Sequence, residues 1–133
     1  MKKTIFLLLM AIAVGVIAQD VYRLKKEKPG EDFENIYVKK VSDSDEQTSF
    51  IIWVHNDVRL HKHAHHTENI YVISGKGEMI LGDEKFVIQK GDFFTIPKGT
   101  PHGLNVLSSA PVKVLSIQSP KFTGADRIFI NSN

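Results

Sequence analysis

The sequence predicts an all-β domain, either a sandwich or a closed barrel, on three observations. From Asn35 onward, runs rich in Val, Ile, Phe and Tyr recur about every eight to twelve residues. Turn-forming clusters separate them: Asp43-Ser44-Asp45, Asn56-Asp57, Gly75-Lys76-Gly77, Gly82-Asp83-Glu84 and Lys90-Gly91-Asp92. No stretch after residue 18 sustains the 3.6-residue apolar period of an amphipathic helix. Many short strands in one small domain bury their apolar faces by closing a sheet or pairing two.

Residues 1–18 stand apart. Lys2 and Lys3 form a basic start, Ile5 to Ile17 is almost wholly apolar, and Val16-Ile17-Ala18 puts small or branched residues where a signal peptidase cuts. The apolar run is shorter than the roughly 20 residues a membrane span needs. The segment reads as a cleavable signal peptide. The mature chain then starts near Gln19, crosses the inner membrane, works in the periplasm and keeps no stable membrane anchor. Residues 19–34 are charged and broken by Pro29-Gly30, and read as an N-terminal arm. The domain proper runs over 35–133. Strands are expected near 35–41, 48–54, 58–63, 69–74, 77–81, 85–89, 92–96, 102–107 and 112–118. Two of them, Phe50-Ile51-Ile52-Trp53-Val54 and Ile70-Tyr71-Val72-Ile73, are apolar on both faces. Something must cover the outer face, either the N-terminal segment or a second subunit. A homodimer is expected on that ground.

Composition excludes several partners. The net charge of +2 comes from Lys2 and Lys3; removing them from the 17 basic residues leaves 15 against 15 acidic ones. A near-neutral mature chain argues against nucleic acid or an anionic membrane as partner. Lys25-Lys26-Glu27-Lys28 is the one basic cluster and reads as a solvated part of the arm. With no Cys anywhere, disulfides, thiolate ligands and a cysteine-linked lipid are excluded. Any metal site must therefore use nitrogen and oxygen.

Two stretches carry such donors. In His61-Lys62-His63-Ala64-His65-His66-Thr67-Glu68, His61 and His63 are two apart, so on a strand both imidazoles project from one face. Glu68 opens the next strand, where a hairpin can bring its carboxylate alongside. His102 follows Pro97-Lys98-Gly99-Thr100-Pro101, whose prolines and glycine set a tight turn. Three imidazoles and one carboxylate suit a divalent transition ion, whether iron, manganese, nickel, zinc or copper. Four protein ligands on an octahedral ion leave two positions for water, oxygen or substrate. His65 and His66 fall in the turn and are expected to be exposed. His55 and Tyr71 are weak candidates for the pocket wall. Gly75, Gly77, Gly91 and Gly99 are read as turn residues adopting positive φ.

These residues resemble a cupin. The family's first motif, His-x-His, three or four residues, Glu, six residues, Gly, is met by His61, His63, Glu68 and Gly75. The second, Gly, five residues, Pro-x-Gly, two residues, His, is met by Gly91, Pro97, Gly99 and His102. The resemblance covers roughly residues 48–118 and implies a small jelly-roll β-barrel with one metal near its centre. Two positions depart from the pattern. His55 stands where the first motif usually begins with Gly. Val106 stands where the second usually ends with Asn, with Asn105 one place early. On a regular strand Val106 shares the face of His102 and Asn105 points away. The pocket is then more apolar on that side, unless a bulge turns Asn105 inward.

What the resemblance implies about function is broad. A metal-dependent enzyme, with oxygenase-type chemistry on a small organic molecule, is the leading expectation. No additional Glu, Tyr or Lys stands out as a general base, which disfavours pure acid–base reactions such as epimerisation. The alternatives are a non-catalytic module that binds a sugar or other small molecule, and a metal-handling protein in which His65 and His66 join the cluster.

Overall fold

The computed structural model describes residues 20–130, and the expected signal peptide lies outside them. The described chain is all-β. Nine strands stand close to where the apolar runs and turns place them: β1 (Ile36–Asp43), β2 (Thr48–Val54), β3 (Asp57–His63), β4 (Thr67–Ser74), β5 (Lys76–Leu81), β6 (Glu84–Gln89), β7 (Phe93–Ile96), β8 (His102–Val106) and β9 (Val112–Ser119). A tenth, β10 (Arg127–Phe129), was not expected. Its three residues carry no alternation of their own. It exists because it pairs with β3, setting Arg127 opposite His63 and Phe129 opposite His61. No helix among the described residues is long and apolar enough to cross a membrane.

The strands form two antiparallel five-stranded sheets, ordered β1-β2-β9-β4-β7 and β10-β3-β8-β5-β6. Consecutive strands from β2 to β5 alternate between sheets, the jelly-roll arrangement. The inner faces meet in one core, built on Val54, Ile70, Val72, Met79, Ile88 and Val112 with their neighbours. These residues sit at alternate positions on their strands, so each strand gives the core one face.

The outer face of β2 is covered by the chain itself. Ile51, Trp53 and Ile73 form a second buried cluster, packed against Leu24 and Phe33 from the arm and Tyr37 from β1. On β4 the ordinary alternation of a strand sends Val72 to the inner core and Ile73 to the outer cluster. Lys113 clamps the arm. It is 5% exposed, and its Nζ donates to the carbonyls of Leu24 and Glu27 and lies 5.3 Å over the Trp53 ring. Burial lowers the Lys113 pKa from its ordinary value, with Glu27 opposing. Of the two covers expected for Ile51 and Trp53, the arm supplies one, so these residues no longer call for a second subunit.

Two glycines show different constraints. Gly75 sits at φ +87 between β4 and β5, and a Cβ there would lie 2.7 Å from the Val112 Cα. Gly91 and Gly99 also adopt positive φ, as expected, but Gly77 does not. Gly77 lies within β5, where a Cβ would come 2.6 Å from Leu104 Cδ1 and 3.0 Å from the Asn105 carbonyl. Its role is close strand approach rather than turn geometry.

Candidate metal centre

The candidate residues come from both sheets. His61 and His63 project inward from β3, and His102, at the start of β8, pairs directly with His61 across the ladder. All three are buried. One ring nitrogen of each lies within 4.8 Å of one on each of the others. Glu68 reaches them from β4 of the opposite sheet. Its Oε2 is 3.6 Å from His102 Nε2 and 3.8 Å from His63 Nε2. Ligands bound at about 2.0–2.2 Å to one ion stand roughly 3–4 Å apart, so these separations fit shared coordination.

Hydrogen bonds behind the rings decide which nitrogen faces the centre. His61 Nδ1 is 2.8 Å from the Arg59 carbonyl, and His102 Nδ1 is 3.0 Å from the Thr100 carbonyl. A carbonyl only accepts, so each Nδ1 carries the proton and Nε2 keeps its lone pair. His63 Nδ1 is held in the same way by Asp126 Oδ1 at 3.2 Å. His102 Nε2 is buried with no hydrogen-bond partner. A buried acceptor in that condition is costly unless an ion or a water satisfies it. Nitrogen donors with fixed tautomers, plus one carboxylate, are the donor set a borderline divalent ion takes.

Electrostatics point the same way. Burial, above all, lowers the His61 pKa to about 4, with the neighbouring His102 adding to the effect and the Arg59 carbonyl opposing it. His102 is likewise lowered to about 4, mainly by burial. Both rings are thus neutral, and able to ligate, through the whole physiological range. Glu68 is oriented from behind. Its Oε1 accepts from Ser116 Oγ at 2.5 Å and from Gln118 Nε2 at 3.2 Å, leaving Oε2 toward the imidazoles. Gln118 stands directly opposite Glu68 in the β4–β9 register.

Several supporting residues escaped the sequence reading. Ser116 and Gln118 had a signal: on β9 the inward positions run Val112, Val114, Ser116, Gln118, apolar at one end and polar at the other. Asp126 had none, since it acts on residues 60 or more positions away. His66 is corrected outright. It was expected in an exposed turn but is 3% exposed. Its Nδ1 lies against Asp126 Oδ2 and its Nε2 is 2.9 Å from the Lys121 carbonyl. Asp126 also accepts from the His65 backbone N–H at 3.2 Å. Burial acts to raise the Asp126 pKa, but the donors at His65, His66 and His63 outweigh it and hold the carboxyl below its usual range. His63, His66 and Asp126 form a second cluster with metal-like spacing. Both His66 nitrogens are already engaged there, so the cluster acts as a latch that ties residues 121–126 to β3. His65 is exposed, as expected. His55 is exposed and packs on Phe33 with ring centroids 4.5 Å apart, and Tyr71 is on the outer face. Neither lines the cavity. Asn105 is exposed, while Val106 packs on the inner core.

The four residues line a cavity of about 120 Å³ whose remaining wall is mostly apolar, including Ile52, Met79, Phe94 and Leu104. A two-sheet β-barrel enclosing a histidine–carboxylate cluster beneath an apolar chamber defines a class, the small metal-site barrels of jelly-roll type. Residues 49–118 match the model of the cupin domain family. The chain belongs to that family. It is 34% identical over 110 residues to an uncharacterized protein of Aquifex aeolicus (strain VF5), covering 83% of this chain and 89% of the relative. Over 49 residues it is 41% identical to quercetin 2,3-dioxygenase of Bacillus subtilis (strain 168), a match spanning 37% of this chain and only 14% of that enzyme. Among solved structures, KdgF from Halomonas sp. superposes with a TM-score of 0.64 at 27% identity, covering 70% of this chain and 86% of that one.

Proposed function

We propose that the chain is an exported, metal-dependent cupin enzyme. It holds one divalent transition ion on His61, His63, Glu68 and His102 and performs oxygenase-type chemistry on a small organic molecule. The observation that carries this reading is the donor set itself: three imidazoles with fixed tautomers face one carboxylate, and His102 Nε2 is buried without a partner. When bound, an ion of this kind supplies Lewis acidity and, if redox-active, a place to activate dioxygen. The chain's own residues do the rest. The Arg59 and Thr100 carbonyls and Asp126 fix the rings, while Ser116 and Gln118 fix Glu68. The apolar wall keeps water from the reacting substrate.

Glu68 is the only Asp, Glu, Tyr or Lys among the described residues that line the cavity. With no second group placed for proton transfer, a metal-centred reaction is favoured over epimerisation. The partial likeness to a dioxygenase supports the oxidative class.

Metal content by mass spectrometry tests the site. One ion per chain is expected in the wild type, with loss in His61→Ala and retention in a His65→Ala control. Metal-free protein from the native compartment would sink the reading. Oxygen uptake by the iron-loaded protein across phenols, thiols and keto acids then tests catalysis; silence with metal bound favours a non-catalytic binding module. Export to the periplasm predicts a mature N-terminus near Gln19, readable by N-terminal sequencing of the periplasmic fraction. Recovery of Met1 there would overturn it.

A further inference from the structure

The metal-site cavity does not end at its apolar wall. A second hollow of about 270 Å³ adjoins it, lined by Phe50, Phe122 and Gly124, and the two share Val38, Ile52, Gln118 and Arg127. Apart from the four candidate ligands, Arg127 is the one charged side chain among the described residues lining either hollow. No carboxylate among the described residues pairs with it. Its place is built into the fold: Arg127 lies opposite His63 in the β3–β10 ladder, and opposed residues point to the same face of a sheet. The Asp126 latch, one residue earlier, fixes where that strand begins.

Gln118 is a second, independent sign of a ligand. It is 3% exposed, and its Nε2 is committed to the Glu68 carboxylate and Ser116 Oγ. A carboxylate can only accept, which fixes the amide orientation. Gln118 Oε1 is then left buried, without a partner, at the junction of the two hollows. Arg127 is exposed and Gln118 is buried, and both line the same two hollows; an exposed guanidinium and an orphaned acceptor there suit a molecule that brings both an anion and a hydrogen-bond donor.

We infer that the two hollows together form the binding site for a small organic acid with an apolar or aromatic body and a hydroxyl group, its carboxylate on Arg127 and its hydroxyl donating to Gln118 Oε1. The inference rests on the reading of the cavity as a small-molecule site and names the substrate class for it. It also assigns Arg127, rather than the metal, as the carboxylate anchor.

Isothermal titration of the full mature chain, metal-loaded and metal-free, tests this with benzoate, 3- and 4-hydroxybenzoate, and the uncharged 4-hydroxybenzamide. Hydroxybenzoate is expected to bind the wild type at least about tenfold more tightly than the amide, the scale of a lost charged hydrogen bond. The better hydroxybenzoate should exceed benzoate by about threefold, from the bond to Gln118. Arg127→Met should abolish the preference for the acid over the amide. Arg127→Lys should keep part of it, since lysine supplies the charge without the planar fork. Unchanged circular dichroism and melting show that the variants fold. Carboxylate binding that disappears with the metal but ignores Arg127→Met would overturn the inference, as would no binding of any acid to folded, metal-loaded protein. Acid binding that depends on Arg127 in protein holding no metal at all would keep the inference and sink the metal reading instead.

Discussion

His102 concentrates the chemistry of the site in one side chain. Its Nδ1 is spoken for by a backbone carbonyl, its Nε2 is buried and unpartnered, and burial keeps it neutral down to about pH 4. His61 behaves the same way. This sets a pH dependence for the metal-free protein. The unfolded chain takes up protons on both residues near the ordinary value of about 6.5, while the folded chain does not until about pH 4. The unfolded state therefore binds more protons inside that window, and stability falls as pH drops through it. The melting temperature should be flat above about pH 6.5 and decline toward pH 4, and His102→Gln should flatten the slope. An identical slope in that variant would show that other groups carry the effect. Asp126 acts at one remove, by orienting His63. Asp126→Asn should weaken metal binding about 10- to 100-fold in a chelator competition while leaving one site per chain. Wild-type affinity in the variant would leave Asp126 a purely structural latch.

At the level of elements, the two ends of the described chain act as straps, one on each sheet. The N-terminal arm lies over Ile51 and Trp53 and is clamped by Lys113. Removing that clamp with Lys113→Ala deletes charged hydrogen bonds, each worth about 1.5–3 kcal/mol. The expected result is a lower melting temperature and red-shifted Trp53 fluorescence as the arm loosens; an unshifted spectrum would mean that packing alone holds it. The C-terminal strap is tied by Asp126 to His63, His65 and His66 and adds β10 to the edge of β3. β5 and β8 approach so closely that a Cβ at position 77 would crowd the Leu104 side chain at 2.6 Å and the Asn105 carbonyl at 3.0 Å. Gly77→Ala should cost about 1–3 kcal/mol by overpacking against Leu104, read as a denaturation midpoint. A neutral result would show that Leu104 can move aside.

For the whole molecule, the assembly question has narrowed. The expectation of a homodimer began with apolar outer faces on β2 and β4. The arm covers the first, whereas Tyr71 and Phe93, paired across β4 and β7, remain 39% and 63% exposed. We propose that a homodimer forms through that edge. Light scattering of the wild type and of Phe93→Lys is the check: a dimer that becomes monomeric is expected, and a dimer indifferent to Phe93→Lys would place the interface elsewhere.

Sequence alone determined nine of the ten strands and the inward-facing triad. Those features are written in local patterns: the two-residue period, the turn residues, and the His-x-His and Pro-x-Gly-x-x-His spacings. Each needs only the geometry of one strand or one turn to be read. The tertiary structure decided everything that depends on which strand lies beside which. It buried His66 against an aspartate 60 residues away, turned a turn-like Gly77 into a packing constraint, and gave Glu68 its backing from Ser116 and Gln118. It also brought Arg127 to the cavity wall from a segment with no strand signal. The physical reason is the same in each case. Backbone periodicity is local, but burial and electrostatic environment are set by contacts that only chain closure creates.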